Sequence, residues 1–192
     1  MSVAGGVATV GAGARLGDLY DALTKHELTI PAGCGPSVGI AGLTLGGGLG
    51  ILGRKHGLTC DHLLSAQVVL ADGRVVECDE HHHEALFWAL RGAGGGQFGV
   101  VTSLVFRTLA EPAATSFRLR WPHTHAAAVI DAWQAWAPGG AYNRVRHDAT
   151  AFVHRSERFS LKHVAIVDTG ASPTGQPAAQ HWLRQSWASV QP

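Results

Sequence analysis

Hydrophobic positions along the chain change their spacing several times, and each change marks an element. Val7 to Val10 is a short apolar run closed by Gly11-Ala12-Gly13, after which Leu16, Leu19, Tyr20 and Leu23 recur at helical spacing. Strand, glycine turn and helix are expected there. The helix ends near His26, and Ile30-Pro31-Ala32-Gly33 leads into a glycine-rich stretch, Gly33 to Gly53. No regular helix is expected in it, because each glycine costs a helix about 1 kcal/mol relative to alanine. Leu63 to Leu70 and Arg74 to Cys78 flank Ala71-Asp72-Gly73, and the Asp-Gly pair predicts an antiparallel hairpin. Glu84 to Leu90 reads as a short helix, followed by glycines from Gly92 to Gly96 and a strand from Val100 to Phe106. A sheet with helices laid on it is the expected architecture.

After Glu111-Pro112 the composition shifts: Trp121, Trp133, Trp136, Trp182 and Trp187 all fall in this last part, which predicts a second structural unit. Ala126 to Trp136 has the pattern of an amphipathic helix. Phe152-Val153-His154 and Leu161 to Val167 read as strands joined by a charged turn at Arg155 to Arg158, and Ala178 to Val190 reads as a final helix.

Composition narrows the function classes. Fifteen Lys+Arg against 14 Asp+Glu in 192 residues leave a net charge of +1, and the cations are scattered, so no nucleic-acid footprint is expected. Three cysteines at wide spacings, Cys34, Cys60 and Cys78, suit neither a disulfide framework nor a paired zinc site. No signal peptide and no apolar run of membrane-spanning length is evident, so a cytoplasmic location is the default expectation.

Three short motifs each have a plainer reading. Gly11-Ala12-Gly13-Ala14-Arg15-Leu16 lies where a dinucleotide fingerprint would, but its third glycine comes one residue late, at Gly17, and a strand-to-helix turn is preferred. Gly35-Pro36-Ser37-Val38-Gly39 matches GxSxG, yet it lacks the strand before and the helix after that a nucleophile elbow requires. Asp79-Glu80-His81-His82-His83-Glu84 is rich in potential metal ligands. Phe87 occupies the position of the second zincin histidine, and a solvated helix cap with no metal is expected. The Gly33 to Gly53 stretch is harder to explain as scaffold. So many missing side chains permit close approach of a ligand, and exposed backbone N–H groups can bind phosphates or a flat heterocycle.

This stretch, with Gly57-Leu58-Thr59-Cys60-Asp61, Val69-Leu70-Ala71-Asp72-Gly73, Phe87-Trp88-Ala89-Leu90-Arg91-Gly92 and Gly95-Gly96-Gln97-Phe98-Gly99-Val100-Val101, closely resembles the berberine bridge enzyme-like flavoproteins. These are FAD-linked oxidases with a PCMH-type, vanillyl-alcohol-oxidase-like FAD domain, and the resemblance runs from Val7 to Phe106. It implies an α+β fold: residues 1–112 as the second part of the FAD domain, mainly antiparallel sheet with flanking helices, and 113–192 as a partial α+β substrate domain. It also implies an FAD-dependent oxidoreductase that takes a hydride from a substrate C–H bond onto flavin N5, with oxygen or another acceptor reoxidising the flavin. The implied cofactor contacts are Cys34, Gly35, Pro36, Ser37, Val38, Gly39, Gly42, Leu43, Thr44, Gly46, Gly47 and Gly50, with Gly99, Val100 and Val101. Cys34 matches the cysteine that many members attach to flavin C6. Gly35 is an extra residue after it, and Leu43 stands where many members have a histidine.

The family's upstream Gly-Gly-His-Ser loop and its C-terminal motifs are not matched, and an internal stretch looks deleted near Pro138-Gly139. The expectation is therefore a truncated flavoprotein, with a non-catalytic remnant as the alternative and a partner chain covering the missing subdomain. No catalytic residue is assigned; Tyr142, His154 and His163 are the nameable bases, without motif support.

Overall fold

The computed structural model describes residues 1–113, 120–136 and 140–156, with isolated positions between 177 and 185. The chain divides into two units, Met1–Arg158 and Phe159–Pro192. The expected strand at 161–167, the step at Pro138-Gly139 and most of the expected helix over 178–190 lie outside the described residues. Within the first unit, Gly140–Ser156 packs together with the segment that ends at Pro112.

The sequence opens with β1 (Ser2–Ala4) and β2 (Val7–Gly11), an antiparallel hairpin whose two-residue loop is Gly5-Gly6. Both glycines have positive φ, at 58° and 78°, the requirement of the tight turn whose twist suits a hairpin. Helix α1 (Leu16–Thr24) follows, then β3 (Leu28–Thr29), α2 (Ile40–Leu45) and α3 (Gly53–His56). Next come β4 (Leu63–Val69), β5 (Val75–Asp79), α4 (Glu84–Leu90), β6 (Val100–Arg107), β7 (Leu109–Ala110) and α5 (Ala126–Trp136).

The main sheet has the order β1-β2-β6-β4-β5 with every neighbouring pair antiparallel, and β3 pairs with β7 in a separate two-stranded ribbon. The Asp-Gly hairpin forms as its sequence predicts: Ser65 to Val69 pair with Asp79 to Val75, and Gly73 turns the chain at φ 83°. One face of the sheet is buried. Ala8 and Val10 from β2, Leu104 and Phe106 from β6, Ala66 and Val68 from β4 and Cys78 from β5 meet Leu16, Leu19 and Leu23 of α1. Each fully buried leucine or phenylalanine contributes about 2 kcal/mol, so this layer accounts for much of the unit's stability.

Two expectations change. A helix does form inside the glycine stretch, at α2, because Ile40, Thr44 and Leu45 bury on one side and only Gly42 interrupts the six residues. Phe152-Val153-His154 is not a strand; the segment follows an irregular path fixed by hydrogen bonds to α4 and the residue after it, described below.

Candidate functional site

The sheet delivers several segments to one end. β2 leaves it at Gly11, opposite Ser103 near the start of β6. There β6 carries one extra residue, since Ser103 faces Gln67 while Val101 faces Val68. The bulge at Thr102 shifts the buried positions to Val101, Leu104 and Phe106, and lets the Thr102 carbonyl accept a hydrogen bond from Ala12 N–H at 3.0 Å. Beyond it, Ile40 N–H donates to the Ala14 carbonyl, Leu16 N–H to Val38 and Gly17 N–H to Pro36, at 2.9 to 3.0 Å. Residues 36–40 are thus tied to the start of α1.

Those bonds settle the fingerprint question. The first free amides of α1 donate to protein carbonyls, and the sheet is antiparallel, so Gly11 to Gly17 is a strand-to-helix turn and no phosphate loop. Ser37 sits in a turn, with Val38 N–H donating to the Gly35 carbonyl, and no strand runs directly into it, since β3 ends at Thr29; the elbow geometry is not there. Asp79 caps its own turn, accepting from His81 N–H and His82 N–H at 2.8 and 2.7 Å and from the His82 ring. Among the described residues no group of three or more His, Cys, Asp or Glu is arranged to hold a metal ion.

What remains is an open strip. Cys34, Pro36, Ser37, Val38, Gly39, Gly42 and Gly46 are exposed, and Gly35, Leu43 and Gly50 half-buried. Backbone N–H groups of Cys34, Gly35, Ser37 and Gly39 have no acceptor among the described residues. A Cβ built on Gly39 or Gly42 meets no atom within 4 Å. The second glycine segment reaches the strip through Gly94 N–H, which donates to the Leu45 carbonyl at 2.8 Å. Gly99 and Val100 lie where β6 begins, Val100 68% exposed and Val101 buried.

Other implied contacts are turned inward. Thr44 is buried with its hydroxyl donating to the Ile40 carbonyl at 2.8 Å. Gly47 lies under the Phe152 ring, and Gly50 against the Ala32 carbonyl. A cavity of about 330 Å³ opens beside the strip, lined by Tyr20, Ala32, Gly33, Cys34, Ile51 and Leu52 among others. Tyr20 donates to the Gly33 carbonyl at 2.7 Å, and burial, helped by the nearby Cys34, pushes its hydroxyl up to about 12, so it is a neutral donor at physiological pH. Of the three nameable bases, His154 is exposed beside Phe152, Tyr142 is described only as part of the backbone turn Ala141–Asn143, and His163 lies outside the described residues.

Sequence reasoning missed the ion pair between Arg155 and Asp61, 94 residues apart. Asp61 stands in a recognised motif, but nothing in the local pattern of Arg155 distinguishes it from an exposed turn arginine.

An open strip of small residues with backbone donors that have no acceptor among the described residues, beside an exposed sulfur, has the chemistry to receive a flat, anionic ligand. A family model described as FAD binding domain matches residues 1–79. An uncharacterized FAD-linked oxidoreductase of Bacillus subtilis, YvdP, is 44% identical over 133 residues, covering 69% of this chain and 30% of its own length. Berberine bridge enzyme-like 23 of Arabidopsis thaliana is 40% identical over 138 residues, covering 70% of this chain and 26% of that protein. Among solved structures, glucooligosaccharide oxidase of Acremonium strictum, described with a 6-S-cysteinyl, 8α-N1-histidyl FAD, superposes with a TM-score of 0.60 at 39% identity over 69% of this chain and 28% of its own. The chain thus spans about three-tenths of the length of such relatives. Among the described residues no helix is long and apolar enough to cross a membrane. Residues 1–79 match an FAD binding domain, and the chain is similar to part of proteins named FAD-linked oxidoreductases and of a berberine bridge enzyme-like protein.

Proposed function

We propose that this chain forms the cofactor-facing part of an FAD-linked oxidoreductase that removes a hydride from a C–H bond of an alcohol, sugar or amine. The observation that carries the proposal is the exposed Cys34–Gly46 strip with its unused backbone donors. Bound FAD supplies the electron sink, accepting the hydride at N5 and giving the electrons to oxygen or another acceptor. The protein binds and orients. N–H groups of Cys34, Gly35, Ser37 and Gly39 would donate to the heterocycle and pyrophosphate, and the open space at Gly39 and Gly42 would admit them. Gly99 and Val100, where β6 begins, would contact the cofactor as well. If the flavin is held covalently, Cys34 Sγ would be the atom to bond its C6, a reading supported by the cysteinyl linkage named for the Acremonium relative.

An absorption spectrum of the purified chain, before and after acid precipitation, tests this reading. Flavin bands near roughly 370 and 450 nm that stay in the pellet, and become soluble in Cys34→Ala, are the expected result. Colour released to the supernatant would keep the flavoprotein and remove the covalent bond. A second reading, a remnant that holds no FAD without a partner chain, is favoured by the exposure of Leu49 (53%) and Ile51 (81%) next to the strip. A colourless chain that takes up no added FAD would establish it over the first.

A further inference from the structure

Arg155 lies 94 residues from Asp61 in sequence and is almost fully buried against it. Its Nη1 donates to Asp61 Oδ2 at 2.9 Å and its Nη2 to Asp61 Oδ1 at 2.7 Å, a two-pronged fork, and Nη2 also donates to Thr150 Oγ1 at 2.7 Å. Asp61 is held in turn by Leu58 N–H at 2.9 Å. A buried ion pair is a poor source of stability, since apolar residues of similar volume do as well or better; its advantage is a single defined geometry. Here the geometry seats Phe152. The guanidinium carbon lies 5.2 Å from the Phe152 ring centroid, and the ring packs on Gly47, where a Cβ would come within 2.8 Å of Phe152 Cε2. On the other side Gly92 abuts Phe152 Cα, and Phe152 N–H donates to the Arg91 carbonyl at 3.2 Å. The neighbours are fastened too: Trp88 Nε1 donates to Asp148 O at 2.8 Å and Arg91 Nη2 to Ala149 O at 3.3 Å.

One residue therefore meets both glycine segments that border the exposed strip, Gly47 with its ring and Gly92 with its backbone and Cβ. We propose that Phe152, seated by the Arg155–Asp61 pair, is a positioning residue that fixes the Gly46–Gly50 and Arg91–Gly96 loops relative to each other so that together they hold the cofactor. This rests on the FAD reading above for its purpose, and on packing alone for its action. Phe152 cannot shift toward either loop, because Gly47 already meets its ring and Gly92 its backbone and Cβ, with no glycine Cβ between.

Hydrogen exchange on the full chain, combined with FAD titration, tests it on the wild type, Phe152→Ala, Phe152→Leu, Asp61→Asn and, as a control, the exposed neighbour Val153→Ala. In Phe152→Ala, amides of 46–50 and 91–96 are expected to exchange about tenfold or more faster while β4 and β6 keep their protection. Phe152→Leu falls between, Asp61→Asn repeats the pattern, Val153→Ala changes nothing, and FAD affinity falls with loop protection. Unchanged loop exchange, or loops and sheet loosening together as in a merely structural role, would overturn the proposal. So would loosened loops that bind FAD as tightly as before. Loop-specific loosening in a chain whose wild type takes up no FAD would sustain the clamp and sink the cofactor reading instead.

Discussion

Two groups of glycines in the same stretch of chain are there for different reasons. Around Gly39 and Gly42 a side chain would meet open space, and neither backbone needs positive φ. At Gly47, Gly48 and Gly50 a Cβ would strike Phe152, Thr59 and Ala32, and Gly47 and Gly48 have φ of 100° and 82° as well. The second group is required by the fold: the chain doubles back on Pro31–Gly33 and Thr59–Cys60 too closely for any side chain, with Thr59 Oγ1 donating to the Pro31 carbonyl at 2.8 Å. Nothing among the described residues requires the first group, so its smallness is best explained by a ligand. Glycine richness marks a ligand site only where the missing side chain would have had room.

The sharpest way to break this distinction is Gly50→Ala. Its obstacle is the backbone carbonyl of Ala32, which no rotamer change can move, so a loss of about 3 kcal/mol or more is expected, seen as a large drop in the denaturant midpoint. A midpoint within the error of wild type would show that the packed group is not packed. Gly47→Ala comes next, at about 1 to 3 kcal/mol, and part of it is expected to vanish in a Phe152→Ala background, because there the obstacle is a side-chain ring. Gly92→Ala, facing the Phe152 backbone, gains no such relief. Strictly additive effects for the Gly47 pair would argue against direct contact.

Gly42→Ala should act in the opposite sense on stability. It lies in α2 with its Cβ direction open, so a gain of up to about 1 kcal/mol is expected. FAD affinity in the same variant is expected to fall by about tenfold, one well-packed contact's worth, through steric exclusion of the cofactor. A stabilised variant that still binds FAD normally would remove Gly42 from the site. The smallest effect is chemical. In flavin-free native protein at neutral pH, a thiol reagent should label Cys34 alone, since it is exposed. Burial pushes Cys60 up to about 12, with Asp61 adding to the shift, and Cys78 up to about 11, so both stay protonated and shielded until the chain unfolds. Labelling of Cys60 before unfolding would mean that the packing under Gly47 opens on its own.

Much of the scaffold was readable from local pattern. The Asp72-Gly73 turn placed β4 and β5, the spacing of Leu16, Leu19 and Leu23 placed α1, and the apolar run from Val100 placed β6. The β1 hairpin was missed although Gly5-Gly6 between Ser-Val-Ala and Val-Ala-Thr carries a hairpin signal of the same kind. The helix α2 is not legible in the glycine content of the whole stretch, because only six residues, with Ile40 and Leu45 buried and a single interrupting Gly42, decide it.

Sequence by itself determined the elements and the presence of an unusual concentration of small residues, since propensity, turn chemistry and hydrophobic period act between neighbours along the chain. Only the tertiary structure could decide which glycines face outward and which face a neighbouring wall. That depends on Ala32, Thr59 and Phe152, brought to the stretch from elsewhere in the chain. The same holds for Arg155, an arginine in an irregular turn by pattern and a buried partner of Asp61 in space. Long-range contacts of this kind leave no periodic trace, because each is made by a single residue reaching across the fold.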